Sequence, residues 1–429
     1  MSSNLLGALA PHPVQLAATA IFAVAVLHTF STRFFEHLAH LQPNHAGLWH
    51  LLGEVEVVFG VWAIVLIAFL VLHEGSRGAL SYLEGQSFRE PAFIFVIMVM
   101  AASRPVLDFS AAVLLWLARL LPLRPPMAYY MTVLSIGPLL GSFITEPAAM
   151  TLSALLLRER YFSAQAPNAF KYGTLGVLFV NVSIGGTLTP YAAPPVLMVA
   201  DRWGWDVGFM LQTFGWKAAL AVCVNAICVT TVFRNYLGQI PHVPGALQKF
   251  ETPWAVIIVH LLLLGSVVFA SHHMLVFAGL FLFFLGFAEA YRRYQSPLIL
   301  REGLLVGFFL AGLVVLGGKQ EWWLQPLLSG MGTTTLYYGA TLLTAITDNA
   351  ALTYLGSLVN GISTEAKYAL VAGSVTGGGL TVIANAPNPA GFAILKGTFD
   401  DGAISPLWLA VAAMPPTLVA IAAFQLLPS

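Results

Sequence analysis

The chain has 429 residues, 58% of them hydrophobic and 9% charged, and its 19 Lys+Arg balance its 19 Asp+Glu. A soluble domain carries roughly a quarter charged residues, so most of this chain is expected in lipid. A net charge of zero gives nucleic-acid binding no support. The two cysteines, Cys223 and Cys228, share one apolar stretch and leave the redox compartment open.

The first apolar run, "VQLAATAIFAVAVL", has no basic residue before it and is expected to be a mature span rather than a cleaved signal. It opens a candidate crossing at 14–32, and the others are 51–73, 209–233, 253–271, 273–291 and 404–427, each near the 17 to 25 residues a bilayer requires. The stretch from the end of the first crossing to the start of the second, "HTFSTRFFEHLAHLQPNHAGLWH", holds His28, His37, His40, His45 and His50. Such a cluster reads either as a solvated loop or as a metal centre. Glu54, Glu56 and Glu289 stand near span ends, where snorkelling accounts for them. The stretches 90–104, 168–200, 301–317 and 365–398 are apolar but short or broken. "LDFSAAVLLWLARLLPLR", which contains Asp108, reads as an amphipathic helix along the cytoplasmic surface, with "QEWWLQPLLSG" as its later partner.

Two pieces, 127–160 and 332–362, each hold an apolar arm, an acidic tip and a second arm. The tips are "GSFITEPAAM" and "LTAITDNAAL", with Glu146 and Asp348 in matching places beside Thr145 and Thr347. Arms of about 10 to 15 residues do not span a bilayer, so each piece is expected to form a re-entrant helical hairpin buried in protein. Each acid precedes a helix start, at Pro147 and Asn349, and is a candidate N-cap facing free N–H groups. Capping alone is one reading. The other is function, because an ionisable group at bilayer depth costs several kcal/mol. "GGTLTPYAAPP" and "GGGLTVIANAPNP" follow the hairpins and hold too many Gly and Pro for continuous helix. If unwound, they free carbonyls at the midplane and bring Thr189, Asn385 and Asn388 to that level, with Asn181 and Ser183 just ahead of the first break. Kinks for packing are the alternative.

The order of features repeats, which divides the chain into repeats at 10–233 and 253–427 with a cytoplasmic linker at 234–252. Each repeat holds a hairpin (127–160; 332–362) and a broken span (168–200; 365–398). Five crossings per repeat is an odd number, so the second repeat must insert upside down, the inverted symmetry of transporters. With the N-terminus outside, thirteen of the 19 basic residues fall inside and six outside, in line with the positive-inside rule.

These tips and breaks resemble the ion transporter superfamily of divalent anion/sodium symporters, arsenite permeases and several sodium/proton antiporter families. "GGTLTPYAAPP" is similar to that group's Gly-Gly…Thr-Pro…Pro-Pro break. The symporters carry Ser-Asn-Thr at both tips, where this chain has Thr145-Glu146-Pro147 and Thr347-Asp348-Asn349. The acids point to the sodium/proton branch, and the chain is most similar to the putative sodium/proton antiporter family. The resemblance implies an elevator-type homodimer, with a scaffold domain and a mobile domain, in a bacterial inner membrane. It also implies a sodium and proton site drawn from Glu146, Asp348, Thr145, Thr347, Asn349, Thr189, Asn385, Asn388 and Asn181, with no cofactor and no transition metal. An anion or metalloid carrier on the same fold, and a membrane metalloenzyme using the histidines, remain as rivals.

Overall fold

The computed structural model describes residues 13–163, 166–240, 252–399 and 402–428. Among these residues every regular element is helical, and the apolar composition is that of an integral membrane protein. Helix is the expected form, because it satisfies all backbone groups within one segment where no water can.

In chain order the helices are α1 (Pro13–Thr29), α2 (Thr32–Leu41), α3 (Ala46–Gly53), α4 (Val55–Glu84), α5 (Arg89–Ala101) and α6 (Arg104–Leu120). They continue with α7 (Pro125–Ile144), α8 (Glu146–Tyr161), α9 (Asn168–Gly185), α10 (Pro194–Trp203) and α11 (Val207–Val232), the last carrying a π turn at Leu211–Gly215. The second half holds α12 (Trp254–Phe269), α13 (Met274–Ala290), α14 (Leu300–Gly317), α15 (Glu321–Ser329), α16 (Thr333–Thr344), α17 (Asn349–Ser357), α18 (Thr364–Gly377), α19 (Asn388–Leu395) and α20 (Pro406–Leu426).

Five helices are long and apolar enough to cross a membrane: α4, α7, α11, α14 and α20. The α5–α6 pair makes a sixth if counted as one span, but it is bent by 67°. α1, α12 and α13 are apolar but only 16 or 17 residues long. On α6 Val106, Ala111 and Leu114 are buried while Trp116 and Leu120 are exposed, the two-faced pattern its sequence predicts.

The arms around the first acidic tip differ from expectation. α7 has 20 residues and is about 30 Å long at 1.5 Å per residue, enough to span, where the sequence predicts a short arm. Pro138 lies inside it without ending it. Pro125 and Pro126 suit the first turn, and in apolar surroundings the backbone has no better alternative than helix. The arms of the second tip, α16 and α17, have 12 and 9 residues and stay short.

The chain forms two compact units. One comprises the described residues up to Phe95, Leu300–Met331 and Tyr354–Ser363. Its centre is the crossing of α4 and α14, where Gly312 lies directly on the backbone of Phe59 and Gly60, so a side chain there would collide. Buried Gln320 ties α1 and α15 to the end of α14: its Oε1 accepts from Thr19 Oγ1 and Trp323 Nε1, both at 2.9 Å.

The other unit comprises Val96–Ile299, Gly332–Thr353 and Thr364–Ser429. α9 is buried along most of its length and meets α20 at Gly176, where an added Cβ would stand 2.7 Å from Ala412 backbone. α16 packs along α18 through Gly373 and Gly377, which lie against the carbonyls of Tyr337 and Thr341. Both α9 and α18 stop at paired glycines. A single 3-10 turn, Gly186–Leu188, follows α9, and helix resumes at Pro194; after Gly377 it resumes at Asn388.

The two interrupted helices run antiparallel. Lys171, in the first turn of α9, donates to Thr398 O at 2.7 Å, just past the end of α19. Lys367, in the first turn of α18, lies over the Trp203 ring at the end of α10, 5.5 Å from its centroid. Each helix therefore begins where the other ends. Of the expected linker, residues 241–251 lie outside the described residues, as does the start of the first repeat.

Candidate functional site

The first tip is tight. Thr145 adopts φ 74 and ψ 150, the one positive φ at a non-glycine among the described residues. Glu146 is wholly buried, yet it does not cap α8, contrary to expectation. The helix starts at Glu146 itself, so Thr145 holds the cap position and Ala149 N–H is taken by the Thr145 carbonyl at 3.1 Å. The carboxylate turns elsewhere. Oε2 accepts from Asn385 Nδ2 at 2.9 Å, and Oε1 has no hydrogen-bond partner. Gly186, in the first break, lies directly on this carboxyl group: a Cβ there would stand 2.8 Å from Cδ.

The second tip is built differently. Asp348 is only half-buried and caps α17, its Oδ1 accepting from Ala350 N at 2.8 Å and Ala351 N at 3.1 Å. Its charge acts on Glu146, so the two acids lie within electrostatic reach. Asn349 is fully buried, and neither its Oδ1 nor its Nδ2 has a partner. Its backbone N–H donates to Ala384 O in the second break at 3.1 Å. Its side chain faces Gly378, as does Ser183 from α9. Asn388 donates to Gly378 O at 2.7 Å and to Thr381 O at 2.8 Å, which leaves its Oδ1 unpaired.

Ten buried side-chain atoms among the described residues lack a hydrogen-bond partner. Seven belong to six residues of the tips and breaks: Thr145, Glu146, Thr344, Asn349, Asn385 and Asn388. Buried polar atoms are normally satisfied, so such a concentration calls for an explanation. Six of the seven atoms are oxygens, the ligand type that hard cations prefer. Direct contacts connect them, from Glu146 to Asn385, on through Ala384 to Asn349, and from Gly377 and Gly378 to Thr344, Asn349 and Asn388.

Other candidates are engaged elsewhere. Asn181 donates to Leu134 O and Val222 O, and its Oδ1 accepts from Asn225 at 2.9 Å, so it knits α7, α9 and α11 together. Thr347 bonds back to Leu343 O, Ser183 to Val375 O, and Thr189 to Ser142 O. Thr344 was missed from the sequence. Its signal was present, since lining up the Ile-Thr pairs sets Thr344 against Ser142.

The histidines do not converge. His28 uses both ring nitrogens, Nε2 donating to Leu52 O and Nδ1 accepting from Trp62, while His37, His40, His45 and His50 are exposed. Among the described residues no three His, Cys, Asp or Glu side chains are grouped to hold a metal. Glu54 pairs with Arg301, and Glu289 lies 3.7 Å from Arg292 at the surface.

An apolar chain that is helical throughout its described elements, with two interrupted helices around a buried acid and a set of unpaired oxygens, has the character of a membrane transporter. The chain belongs to the family described as Putative Na+/H+ antiporter, whose model matches residues 13–427. That places it among cation/proton antiporters. No curated protein matches the chain.

Proposed function

We propose that the protein exchanges sodium, or another monovalent cation, for protons at a single site near the bilayer midplane, built from both tips and both interrupted helices. The observation that carries this reading is Glu146. Its carboxyl group is wholly buried, among oxygens without partners, and no cationic side chain is paired with it among the described residues. A bare carboxylate there costs several kcal/mol. A proton on the carboxyl relieves that cost, and so does a cation held by Glu146 Oε1, Asn385 Oδ1 and the neighbouring amide and hydroxyl oxygens. Either occupant excludes the other. Competition yields antiport when only loaded states cross.

The same reading treats the chain as two inverted repeats, supported by the antiparallel run of the interrupted helices and the matched lysines at their starts. The unit that carries the site acts as the mobile body and the other as the scaffold of a homodimer, in a bacterial inner membrane. Asp348 contributes fixed negative charge from its capping position, and Thr145, Thr344, Asn349 and Asn388 contribute neutral oxygens.

Purified protein in proteoliposomes with an imposed pH gradient tests the reading. Addition of sodium or lithium should collapse the gradient, and potassium or calcium should do so less well. Collapse driven by anions or arsenite, with no response to cations, would overturn it.

A further inference from the structure

Ser142 lies on α7, four residues before Glu146, and is fully buried. Its Oγ donates to Gly185 O at 2.7 Å and accepts from Leu188 N at 2.9 Å. Its own carbonyl accepts from Thr189 Oγ1 at 2.5 Å. Three bonds thus attach the segment where α9 unwinds to the arm before the first tip. Gly186 stands within that segment, pressed on the Glu146 carboxyl group. A segment with little helical bonding of its own is held by these contacts. The aligned hydroxyl of the second half does no such work, since buried Thr344 Oγ1 has no partner.

We propose that Ser142, together with Thr189, is a positioning residue. It fixes the unwound turn Gly185–Thr189 on the first tip, so that the Gly186 backbone confines the Glu146 carboxyl to one place. It touches neither ion and acts through the turn. Its effect falls on cation affinity rather than on maximal rate, and this part rests on the reading of Glu146 as the exchanging group.

The test compares Ser142→Ala, Ser142→Thr and Thr189→Val in proteoliposomes, with backbone amide exchange followed over residues 185–191. In Ser142→Ala the apparent KM for sodium should rise about tenfold at an unchanged maximal rate per folded protein, since buried groups that lose a partner are costly. Amide exchange over the segment should also quicken. Ser142→Thr keeps the hydroxyl and should restore both. Thr189→Val removes one bond only and should shift KM the same way by less, which serves as the readout if Ser142→Ala does not fold. A lower maximal rate at unchanged KM, or unaltered amide exchange in both deletion variants, would overturn the proposal. Absence of exchange activity in the unsubstituted protein would instead defeat the antiport reading, and amide exchange would still decide whether Ser142 holds the turn.

Discussion

Glu146 and Asp348 occupy matching places in the sequence, but their surroundings divide the work between them. Glu146 is enclosed and its carboxyl group accepts one hydrogen bond among the described residues, from Asn385, whereas Asp348 is half-buried and bonded to two N–H groups at the start of α17. Glu146→Gln should therefore abolish exchange, by about 100-fold or more, in a protein that still folds, because removing a buried charge relieves a cost. Asp348→Asn keeps the cap, since Asn caps as well as Asp. It should weaken apparent cation affinity by about tenfold, roughly 1.4 kcal/mol, without abolishing turnover. The pH dependence follows from the competition. Protons occupy Glu146 at low pH, so the apparent KM for sodium should fall as pH rises and become flat in Asp348→Asn only if Asp348 is the exchanging group instead. Thr344→Val is nearly isosteric and removes one unpaired oxygen. Apparent affinity should drop several-fold with thermal stability unchanged or raised, and unchanged affinity would remove Thr344 from the site.

At the scale of elements, the proposed site depends on two helices that are interrupted along their length and on glycines that let helices approach. Gly176 brings α9 onto α20, and Gly377 brings α18 onto α16. Gly176→Val would force these backbones apart and should destabilise by about 1–3 kcal/mol, as overpacking does. A thermal melt in detergent should show this, with transport per folded protein nearly preserved. Asn385 is different. It lies in the second break, and its amide is the one hydrogen-bond partner that the Glu146 carboxyl group has among the described residues. Asn385→Ala should raise the sodium KM by about tenfold with little change in melting. Thr145 carries a further element-scale cost, since a threonine held at φ 74 is strained by about 1–3 kcal/mol. That conformation joins α7 to α8 in one residue and directs the Glu146 side chain inward.

For the whole molecule, the inverted-repeat topology predicts both termini outside and the 234–252 linker inside. Single cysteines in a background lacking Cys223 and Cys228 would be labelled accordingly by impermeant reagents, and linker labelling from outside would refute that topology.

The all-helical membrane character was legible in the chain by itself. Apolar runs report burial in lipid, and clustered Gly and Pro report where helix fails, because both are local properties of the backbone and its immediate side chains. The polar tip residues were legible for the same reason, since a carboxylate in an apolar stretch is conspicuous whatever surrounds it. Only the tertiary structure decided which of these groups remain unpaired. Asn181 and Thr189 have the side chains of ligands, but Asn225 of α11 and the Ser142 carbonyl of α7 engage them. Ser142 and Thr344 are equivalents in sequence, yet the hydroxyl of one makes two hydrogen bonds and that of the other makes none among the described residues. Glu146 finds Asn385 across 239 positions. A hydrogen bond depends on what packs across from a group, and that neighbour is set by how distant helices cross, which no local pattern along the chain encodes.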